Sequence, residues 1–591
     1  MKRMSFRVKH ININSLRAIP FLIIILSACD GIENKTVIGT PKSVNNSAMK
    51  NYQLTKTEQI IVTSEAGDKL AIKNNVTFHK ASEIGHKVIV KPEIIKQTMT
   101  GVGTSFTESS AFVLAHLDKQ DRQHVMNNIY GQDGANFSLA RTHIGATDFA
   151  VKGKYSYAET ANDLELKHFT IAPDKAGFSN QKYPNIKDVS YDLLPMIQEA
   201  NEIKKRQGDE PINIIASAWT APPWMKDIED YYQRGTEATG MEGTGGELKP
   251  EFVGTYAEYL IKYLNAYKQE GVDIWGLTPI NEPNGNSGQW ESMHFSPETQ
   301  KQFITKHLGP QLHNSDYTDI RLLIYDQNRD HMEEWADTIL SDKEASQYVY
   351  GTAVHWYEST ERVYDDILDK VHNKYPSFDI INTEATIDDL GKPASGGVLD
   401  VDKFQEKSWF NNDEFWWNKN ATDWAYTATW APHSEDHPIY TPVHRYARNI
   451  IVSFNHWMSG WIDWNIVLDA QGGPNHVGNY CGAPIMIDTA TGQIYYTPIY
   501  YVLAQFSKSI RPGDKALQTE KYLATDRNSV NVINDDALHA SATINSDNLI
   551  SVQLLNTTKK ALSYQLQVGT QSATVEIPAN AVQTVQFTID L

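Results

Sequence analysis

Positive charge is scarce in this chain. Its 591 residues include 53 Lys and Arg against 72 Asp and Glu, which gives a formal net charge of −19. A nucleic-acid-binding protein needs clustered Lys and Arg to replace the counterions of phosphates. The acidic balance therefore argues against a nucleic-acid partner. Global disorder is also excluded, because hydrophobic residues make up 41% of the chain and can form a large packed core.

The sequence motifs of common cofactors are missing as well. No G-x-G-x-x-G follows a strand pattern, and the phosphate-binding pattern G-x-x-x-x-G-K-[ST] does not occur. The 19 histidines include no H-E-x-x-H or similar spacing. We therefore expect no nucleotide, no metal and no other cofactor.

Cysteine is nearly absent, and Cys29 and Cys481 cannot build a disulfide framework. Cys29 follows a basic stretch, residues 1–17, and an almost wholly apolar stretch, residues 18–28. This apolar stretch is too short to cross a bilayer but fits the core of a signal peptide. Its ending, Leu26-Ser-Ala-Cys29, resembles a bacterial lipobox. We expect a lipid on Cys29 that anchors an exported protein to a bacterial membrane, on its periplasmic or cell-surface side. The alternatives are an ordinary signal peptide and a membrane anchor.

Periodicity divides the rest of the chain. Residues 29–56 are polar and turn-rich, which predicts a flexible tether behind the signal peptide 1–28. Residues 57–98 contain short apolar runs typical of strands. Residues 99–512 alternate apolar runs with helical patterns, which predicts an α/β fold, a (β/α)8 TIM barrel. In residues 513–591, apolar and polar residues alternate with period two. We therefore expect an antiparallel β-sandwich module that is built by strands from both termini.

Two glutamates each follow an apolar strand pattern. Glu282 ends the segment Trp275-Gly-Leu-Thr-Pro-Ile-Asn-Glu282, and the next residue, Pro283, cannot continue a central strand. Glu384 comes directly after Phe378-Asp-Ile-Ile-Asn-Thr. Because the active site of a barrel gathers at the C-terminal strand ends, the two carboxylates can face one pocket. Such a pair can cleave a glycosidic bond, although strand-end glutamates also form plain salt bridges.

Seven short motifs occur along the chain in a fixed order. They read TGVGTSFTE, RTHIGATDF, ASAWTAPPWMK, NEP, HWY, TEA and GWIDWN, and they begin at Thr100, Arg141, Ala216, Asn281, His355, Thr383 and Gly460. One motif alone, such as NEP, recurs in several barrel families. With all seven in order, the chain resembles glycoside hydrolase family 30, the glucosylceramidase-like family, over nearly its whole length after residue 28.

The resemblance implies a retaining β-glycoside hydrolase with a carbohydrate substrate and no cofactor. Glu282 corresponds to the general acid/base and Glu384 to the nucleophile, with the carboxyl groups about 5 Å apart. Arg141 and Tyr357 are expected to bind and orient Glu384, although Tyr357 could also be a plain core aromatic. Asn281 is expected to bond the 2-hydroxyl of the sugar.

Four further substrate-binding residues are implied. The distal hydroxyls of the sugar are expected to meet Asp148, Trp219 and Asn479, and Trp464 is expected to form the floor on which the sugar stacks. His355 and Trp356 are expected only to pack beneath the site.

The substrate itself stays open. Residues 397–442 form a Trp-rich insertion after the nucleophile strand, which either shapes the aglycone side of the site or packs on itself or against another subunit. β-Glucosides, as in glucosylceramidases, are the leading hypothesis. The alternatives are an endo-β-1,6-glucanase, a β-xylosidase and a lipoprotein that binds glycans without cleaving them.

Overall fold

The structure is a computed structural model that describes residues 52–81, 86–233, 245–285, 290–359, 362–386, 442–522 and 537–590. These residues belong to one unit, Lys50–Leu591. The signal peptide, Cys29, all but the end of the tether, and residues 397–441 of the Trp-rich insertion lie outside the described residues. None of the helices in the described part of the chain combines the length and the apolar character that a membrane crossing requires.

Strands occupy the N-terminal stretch in which strands are predicted. They are β1 (Gln59–Ser64), β2 (Ala71–Lys73), β3 (His79–Lys80) and β4 (His86–Thr98). In β4 every second residue of the first half is buried, including Val88 and Val90. This alternation turns one face of the strand toward an apolar core, as expected for a sheet with one solvent face.

Eight parallel strands then close the barrel: β5 (Gly101–Phe106), β6 (Leu139–Ile144), β7 (Asn213–Ala218), β8 (Gly276–Thr278), β9 (Arg321–Asn328), β10 (Gly351–His355), β11 (Asp379–Glu384) and β12 (Met458–Asp463). Strands that follow one another in sequence are neighbours, and β12 pairs with β5 to complete the ring. A cluster of six fully buried side chains fills its interior: Leu139, Ile215, Leu323, Ala353, Ile381 and Ile462. The predicted barrel is confirmed, and it holds the C-terminal strand ends in fixed positions.

Helices connect the barrel strands: α1 (Glu108–Ala115), α2 (Lys119–Tyr130), α3 (Leu193–Gln207), α4 (Val253–Gln269), α5 (Pro297–Phe303), α6 (Gly309–His313), α7 (Met332–Leu340), α8 (Lys343–Ser346), α9 (Asp365–Lys374) and α10 (Pro442–Asn455). The local sequence explains their ends, as α3 illustrates. The Asp192 carboxylate caps its first turn, and Gly208 ends it at a φ of 75°, which glycine adopts without strain.

A small sheet follows the last barrel strand. It contains β13 (Val467–Asp469), β14 (Ile485–Asp488) and β15 (Gln493–Tyr496), and α11 (Pro498–Ser509) follows it. β13 and β14 pair in parallel, so the chain between them, residues 470–484, must return to the edge from which it came. This loop carries Asn475 and Asn479.

The remaining strands are β16 (Lys515–Tyr522), β17 (Leu538–Ile544), β18 (Leu549–Asn556), β19 (Leu562–Val568), β20 (Gln571–Ile577) and β21 (Ala581–Thr588). They form one sheet with the N-terminal strands, in the order β2-β1-β21-β18-β17-β16-β4-β19-β20-β3. β1 pairs with β21, and β4 pairs with β16. Both termini thus build the β-sandwich module, as predicted. Among the described strand pairs of this sheet, β4 with β19 is parallel and the others are antiparallel.

Close backbone contact at Gly103 generates a prediction about stability. A Cβ atom at Gly103 would lie 1.6 Å from the Leu139 carbonyl oxygen of the neighbouring strand. Gly103→Ala is therefore expected to lower the free energy of unfolding by about 3 kcal/mol or more, or to prevent folding. Gly254→Ala is the control, since its Cβ would meet only the His307 ring at 3.5 Å. Urea unfolding of both variants checks this, and equal stability would contradict it.

Candidate active site

The side chains of the two predicted glutamates come close together at the barrel mouth. Glu384 is the last residue of β11 and its side chain is 9% exposed, whereas the Glu282 side chain, just beyond β8, is 16% exposed. One carboxylate oxygen of each lies within 4.8 Å of the other and of a His355 ring nitrogen. Glu282 has a φ of 48°, which is rare for a residue with a side chain, and its N–H donates to the Asp326 carbonyl at 3.0 Å.

Arg141 is the buried cation of the site. It lies on β6 and is 0% exposed. One terminal nitrogen, Nη1, donates to Glu384 Oε2, and the other, Nη2, donates to Asp326 Oδ2 and to Asn281 Oδ1, both at 2.7 Å. Its Nε donates to Ser217 Oγ at 2.9 Å. This fixed set of bonds gives the guanidinium a single orientation.

Glu384 is held from two sides. Its Oε2 accepts from Arg141, and its Oε1 accepts from the Tyr357 hydroxyl at 3.0 Å. Burial raises the pKa of the Glu384 carboxyl, while the positive charges of His355 and Arg141 oppose that shift. Both residues that were expected to contact Glu384 therefore do so in the structure.

His355 joins the acid cluster instead of only packing beneath it. Its ring is 0% exposed, with Nδ1 3.4 Å from Glu282 Oε1 and Nε2 3.1 Å from Asp326 Oδ1. Burial disfavours a charged ring, but Glu384, Asp326 and Glu282 together raise the pKa of His355 to about 9. No sequence pattern indicates a charged histidine here, because the three acids lie far away along the chain.

A polar wall lies beside this cluster. Asp148 Oδ2 accepts from the side-chain amides of Asn479 at 3.0 Å and Asn475 at 3.1 Å. Burial raises the pKa of Asp148 to about 7, although both amides favour its charged form. Asn475 was not among the predicted site residues, although it lies only four positions before Asn479.

Two tryptophans complete the site. The rings of Trp219 and Trp464 stack with centroids 5.2 Å apart and an interplanar angle of 24°. The Arg141 guanidinium lies 4.7 Å from the Trp219 centroid, so the aromatic pair is directly next to the charged cluster. The structure thus brings all nine predicted catalytic and binding residues of the barrel together, although their individual roles stay predictions.

Glu282, His355 and Glu384 could in principle also offer three ligand atoms to a metal ion. The surrounding chemistry does not favour this. The Arg141 guanidinium already contacts Glu384, and the Asp326 carboxylate beside His355 favours a protonated ring. A protonated ring has no lone pair for a metal.

Comparisons with known proteins identify the family. The model of the glycosyl hydrolase family 30 TIM-barrel domain matches residues 99–425 and 421–510, and that of the family 30 beta sandwich domain matches residues 525–585. The chain belongs to glycoside hydrolase family 30. The family resemblance of the seven motifs is thereby confirmed, and glycosidase activity on a carbohydrate substrate follows from membership.

Several curated family 30 relatives cover most of the chain. Putative glucosylceramidase 4 of Caenorhabditis elegans is 26% identical over 531 residues, which are 88% of this chain and 86% of the relative. Lysosomal acid glucosylceramidase of Mus musculus is 27% identical and covers 76% of each chain. An endo-1,6-beta-D-glucanase of Neurospora crassa is 25% identical and covers 71% of each chain.

Solved structures agree on the fold of this family 30 protein. SrfJ of Salmonella typhimurium superposes with a TM-score of 0.71 at 21% identity, covering 90% of this chain and 99% of SrfJ. The barrel and the sheet module therefore occur together in a solved structure.

The charged state of His355 can be measured directly. With ¹³C-labelled histidine, NMR should show one ring that stays protonated through pH 8 and titrates near pH 9; the spectrum of His355→Gln identifies it. His143 is an internal control, because burial lowers its pKa to about 4 and its ring stays neutral. Because folding raises the pKa of His355, its contribution to the free energy of unfolding is complete below about pH 6.5 and is lost as the pH rises through about 9. Titration of the His355 ring near pH 6.5 would contradict this.

Proposed function

We propose that this family 30 enzyme is a retaining β-glucosidase that hydrolyses β-glucosides through a covalent glycosyl-enzyme. The observation that carries the proposal is the separation of Glu282 and Glu384, whose nearest oxygens lie within 4.8 Å. Inverting glycosidases hold their carboxyl groups roughly 6.5–9.5 Å apart, because a water must fit between sugar and base. The short separation supports direct attack by one carboxylate on the sugar.

The surroundings of the two acids support one assignment of roles. Glu384 is the more buried acid and receives hydrogen bonds from Arg141 and Tyr357, which keep a carboxylate oriented. It acts as the nucleophile and forms an ester with the anomeric carbon. The bond from that carbon to the leaving oxygen breaks, and Glu282 gives its proton to this oxygen.

Hydrolysis of the ester reverses these roles. Glu282, now a carboxylate, takes a proton from a water molecule that attacks the anomeric carbon, and Glu384 leaves as a carboxylate. The Glu282 side chain is 16% exposed, so water can reach it once the first product has departed.

The polar wall and the aromatic pair give the sugar its binding site. Asp148, fixed by Asn475 and Asn479, can accept hydrogen bonds from distal hydroxyls. Asn281 is held by Arg141 through its Oδ1, which leaves the amide end of the side chain directed elsewhere and able to donate to the 2-hydroxyl. Trp464 supplies an apolar face for stacking.

Glucose is the favoured sugar because the curated relatives that cover most of the chain carry the name glucosylceramidase. A second candidate is an endo-β-1,6-glucanase, which a relative that covers 71% of the chain favours. Both candidates share the same chemistry at the cleaved bond and differ in what lies beyond it.

We also propose export and lipid anchoring at Cys29. The support is the sequence itself, in which a basic stretch and an apolar stretch precede Leu26-Ser-Ala-Cys29. A carbohydrate hydrolase on the periplasmic or cell-surface side of a membrane would meet its substrate outside the cytoplasm.

The roles of the two glutamates can be tested with 4-nitrophenyl β-glucoside. Glu384→Gln is expected to lower kcat by at least about 1,000-fold, since no nucleophile remains. Glu282→Ala should lose as much on this substrate but regain turnover of 2,4-dinitrophenyl β-glucoside with added azide, which attacks the glycosyl-enzyme without a base. Glu108→Gln is the control, because Glu108 is a fully buried glutamate that contacts Lys152 and lies outside the cluster.

The same experiment separates the substrate candidates. A β-1,6-glucan and 4-nitrophenyl β-xyloside are assayed in parallel. Nitrophenol from the glucoside as the main product supports the β-glucosidase, and oligosaccharides from the glucan support the endo-glucanase. Turnover that survives Glu384→Gln would contradict the mechanism for either substrate.

Lipid anchoring is checked by fractionation of cells that express the full chain. The wild type is expected in the membrane fraction with incorporated ³H-palmitate, and Cys29→Ala should lose the label. Cys481→Ala is the matched control, since it removes the other cysteine, which is buried in the loop beside the site. Equal labelling of the wild type and Cys29→Ala would contradict the proposal.

A further inference from the structure

Asp326 is a buried residue of the barrel mouth with a strained backbone. It lies on β9, is 0% exposed and has a φ of 71°, and the preceding Tyr325 has a φ of 75°. Tyr325 pairs with Ala353 and Gln327 with Val354, so Asp326 is the extra residue of a β-bulge. A bulge turns a side chain away from the regular alternation, and here it turns the carboxylate inward.

A second bulge on the opposite side of β10 supplies a partner. Asn382 pairs with Val354 and Glu384 with His355, which leaves Thr383 as the extra residue of β11. The Thr383 hydroxyl donates to Asp326 Oδ1 at 2.6 Å. The two bulges thus meet in one hydrogen bond beneath the site, and the surrounding structure must stabilise the positive φ values of Tyr325 and Asp326.

The Asp326 carboxylate is fully occupied. Its Oδ2 accepts from Arg141 Nη2 and from the Thr278 hydroxyl, both at 2.7 Å. Its Oδ1 accepts from Thr383 and from His355 Nε2 at 3.1 Å. Burial alone would raise the pKa of Asp326, but Arg141, His355 and Thr383 hold it well below its usual range. Asp326 is therefore a permanent negative charge.

Each cation on Asp326 contacts a different glutamate. Arg141 donates to Glu384, and His355 lies 3.4 Å from Glu282. The Asp326 carboxylate lies behind both cations, and in the described part of the chain it makes no direct hydrogen bond to the carboxyl group of either glutamate. Its carboxylate therefore reaches the two reacting carboxyl groups through Arg141 and His355.

The charges match the chemistry of glycosylation. Before the reaction, the cations Arg141 and His355 face the anions Asp326 and Glu384, and Glu282 carries a proton. Afterwards Glu384 is an uncharged ester, and Glu282, having given its proton to the leaving oxygen, is the second anion. The cluster stays neutral in both states, so negative charge moves between the glutamates without leaving an uncompensated buried charge.

We propose that Asp326 is a positioning residue that couples the two catalytic glutamates, through Arg141 to Glu384 and through His355 to Glu282. This inference rests on the proposed retaining mechanism. One branch of the cluster serves nucleophilic attack, and the other serves proton donation. The two branches can be separated with substrates that differ in their need for a proton.

The test compares 2,4-dinitrophenyl β-glucoside, whose leaving group departs without a proton, with octyl β-glucoside, whose leaving group requires one. Asp326→Asn is expected to lower kcat/KM by about 10-fold or more on the first and about 100-fold or more on the second. His355→Gln should lower only the second, by about 10-fold or more, and leave the first within about 3-fold.

Asp174→Asn is the matched control for loss of a buried aspartate. Asp174 is buried and accepts from Tyr157 and Tyr267 at 2.6 Å, outside the cluster. The Asp174→Asn variant is expected to have a lower free energy of unfolding but an unchanged ratio of kcat/KM between the two substrates. An Asp326→Asn variant that behaves like Asp174→Asn, or that loses activity on one substrate only, would overturn the coupling.

A second readout does not depend on turnover. By histidine NMR, Asp326→Asn should lower the titration midpoint of His355 by about one pH unit or more, because its carboxylate partner is gone. If the wild type turns over neither glucoside, the proposed function is rejected. The shift of the His355 midpoint in Asp326→Asn would then still demonstrate the contact of Asp326 with His355. An unchanged His355 midpoint would reject the coupling itself.

Discussion

The burial of a guanidinium at the mouth of the barrel is the constraint on which the site depends. Arg141 is 0% exposed, and an unpaired charge at such a place costs several kcal/mol. Asp326 and Glu384 offset this cost as direct partners. Because the pairing fixes Glu384 before any sugar arrives, the donors that orient the carboxylate need no rearrangement during the reaction, which is the main way in which enzymes stabilise transition states.

Local backbone strain makes this arrangement possible. Glu282, Tyr325 and Asp326 all have positive φ values, each of which costs of order 1–3 kcal/mol for a residue with a side chain. The closed barrel and its apolar interior hold the flanking strands in place, so the strain cannot relax by local movement. The β-sandwich module packs outside this ring and is not the source of any residue in the cluster.

The sequence predicted the barrel, the shared origin of the sheet module and the two glutamates, because all three depend on periodic patterns and strand ends. Asp326 lies in the pattern RLLIYDQ, which indicates a strand, yet no pattern marks it as a site residue. A one-residue bulge changes the direction of a side chain without changing composition or period. The charge of His355 is also invisible in the sequence, because the acids around it come from β9, from β11 and from the segment after β8.

Asn475 is a residue of the polar wall that the sequence analysis did not predict. It lies only four positions before the predicted residue Asn479, but its bond to Asp148 joins residues 327 positions apart, which periodicity does not reveal. The polar wall is therefore a product of the tertiary fold, in which the small sheet of β13, β14 and β15 returns the loop 470–484 to the barrel mouth.

Retention of configuration is the central claim, and the most direct measurement is ¹H NMR of the sugar at the moment of its release. 4-Nitrophenyl β-glucoside is hydrolysed in D₂O with enough enzyme to finish before mutarotation. Two displacements at the anomeric carbon predict β-glucose as the first signal, followed slowly by the α-anomer. α-Glucose as the first product would mean a single displacement and would contradict the assignment of Glu384 as a nucleophile.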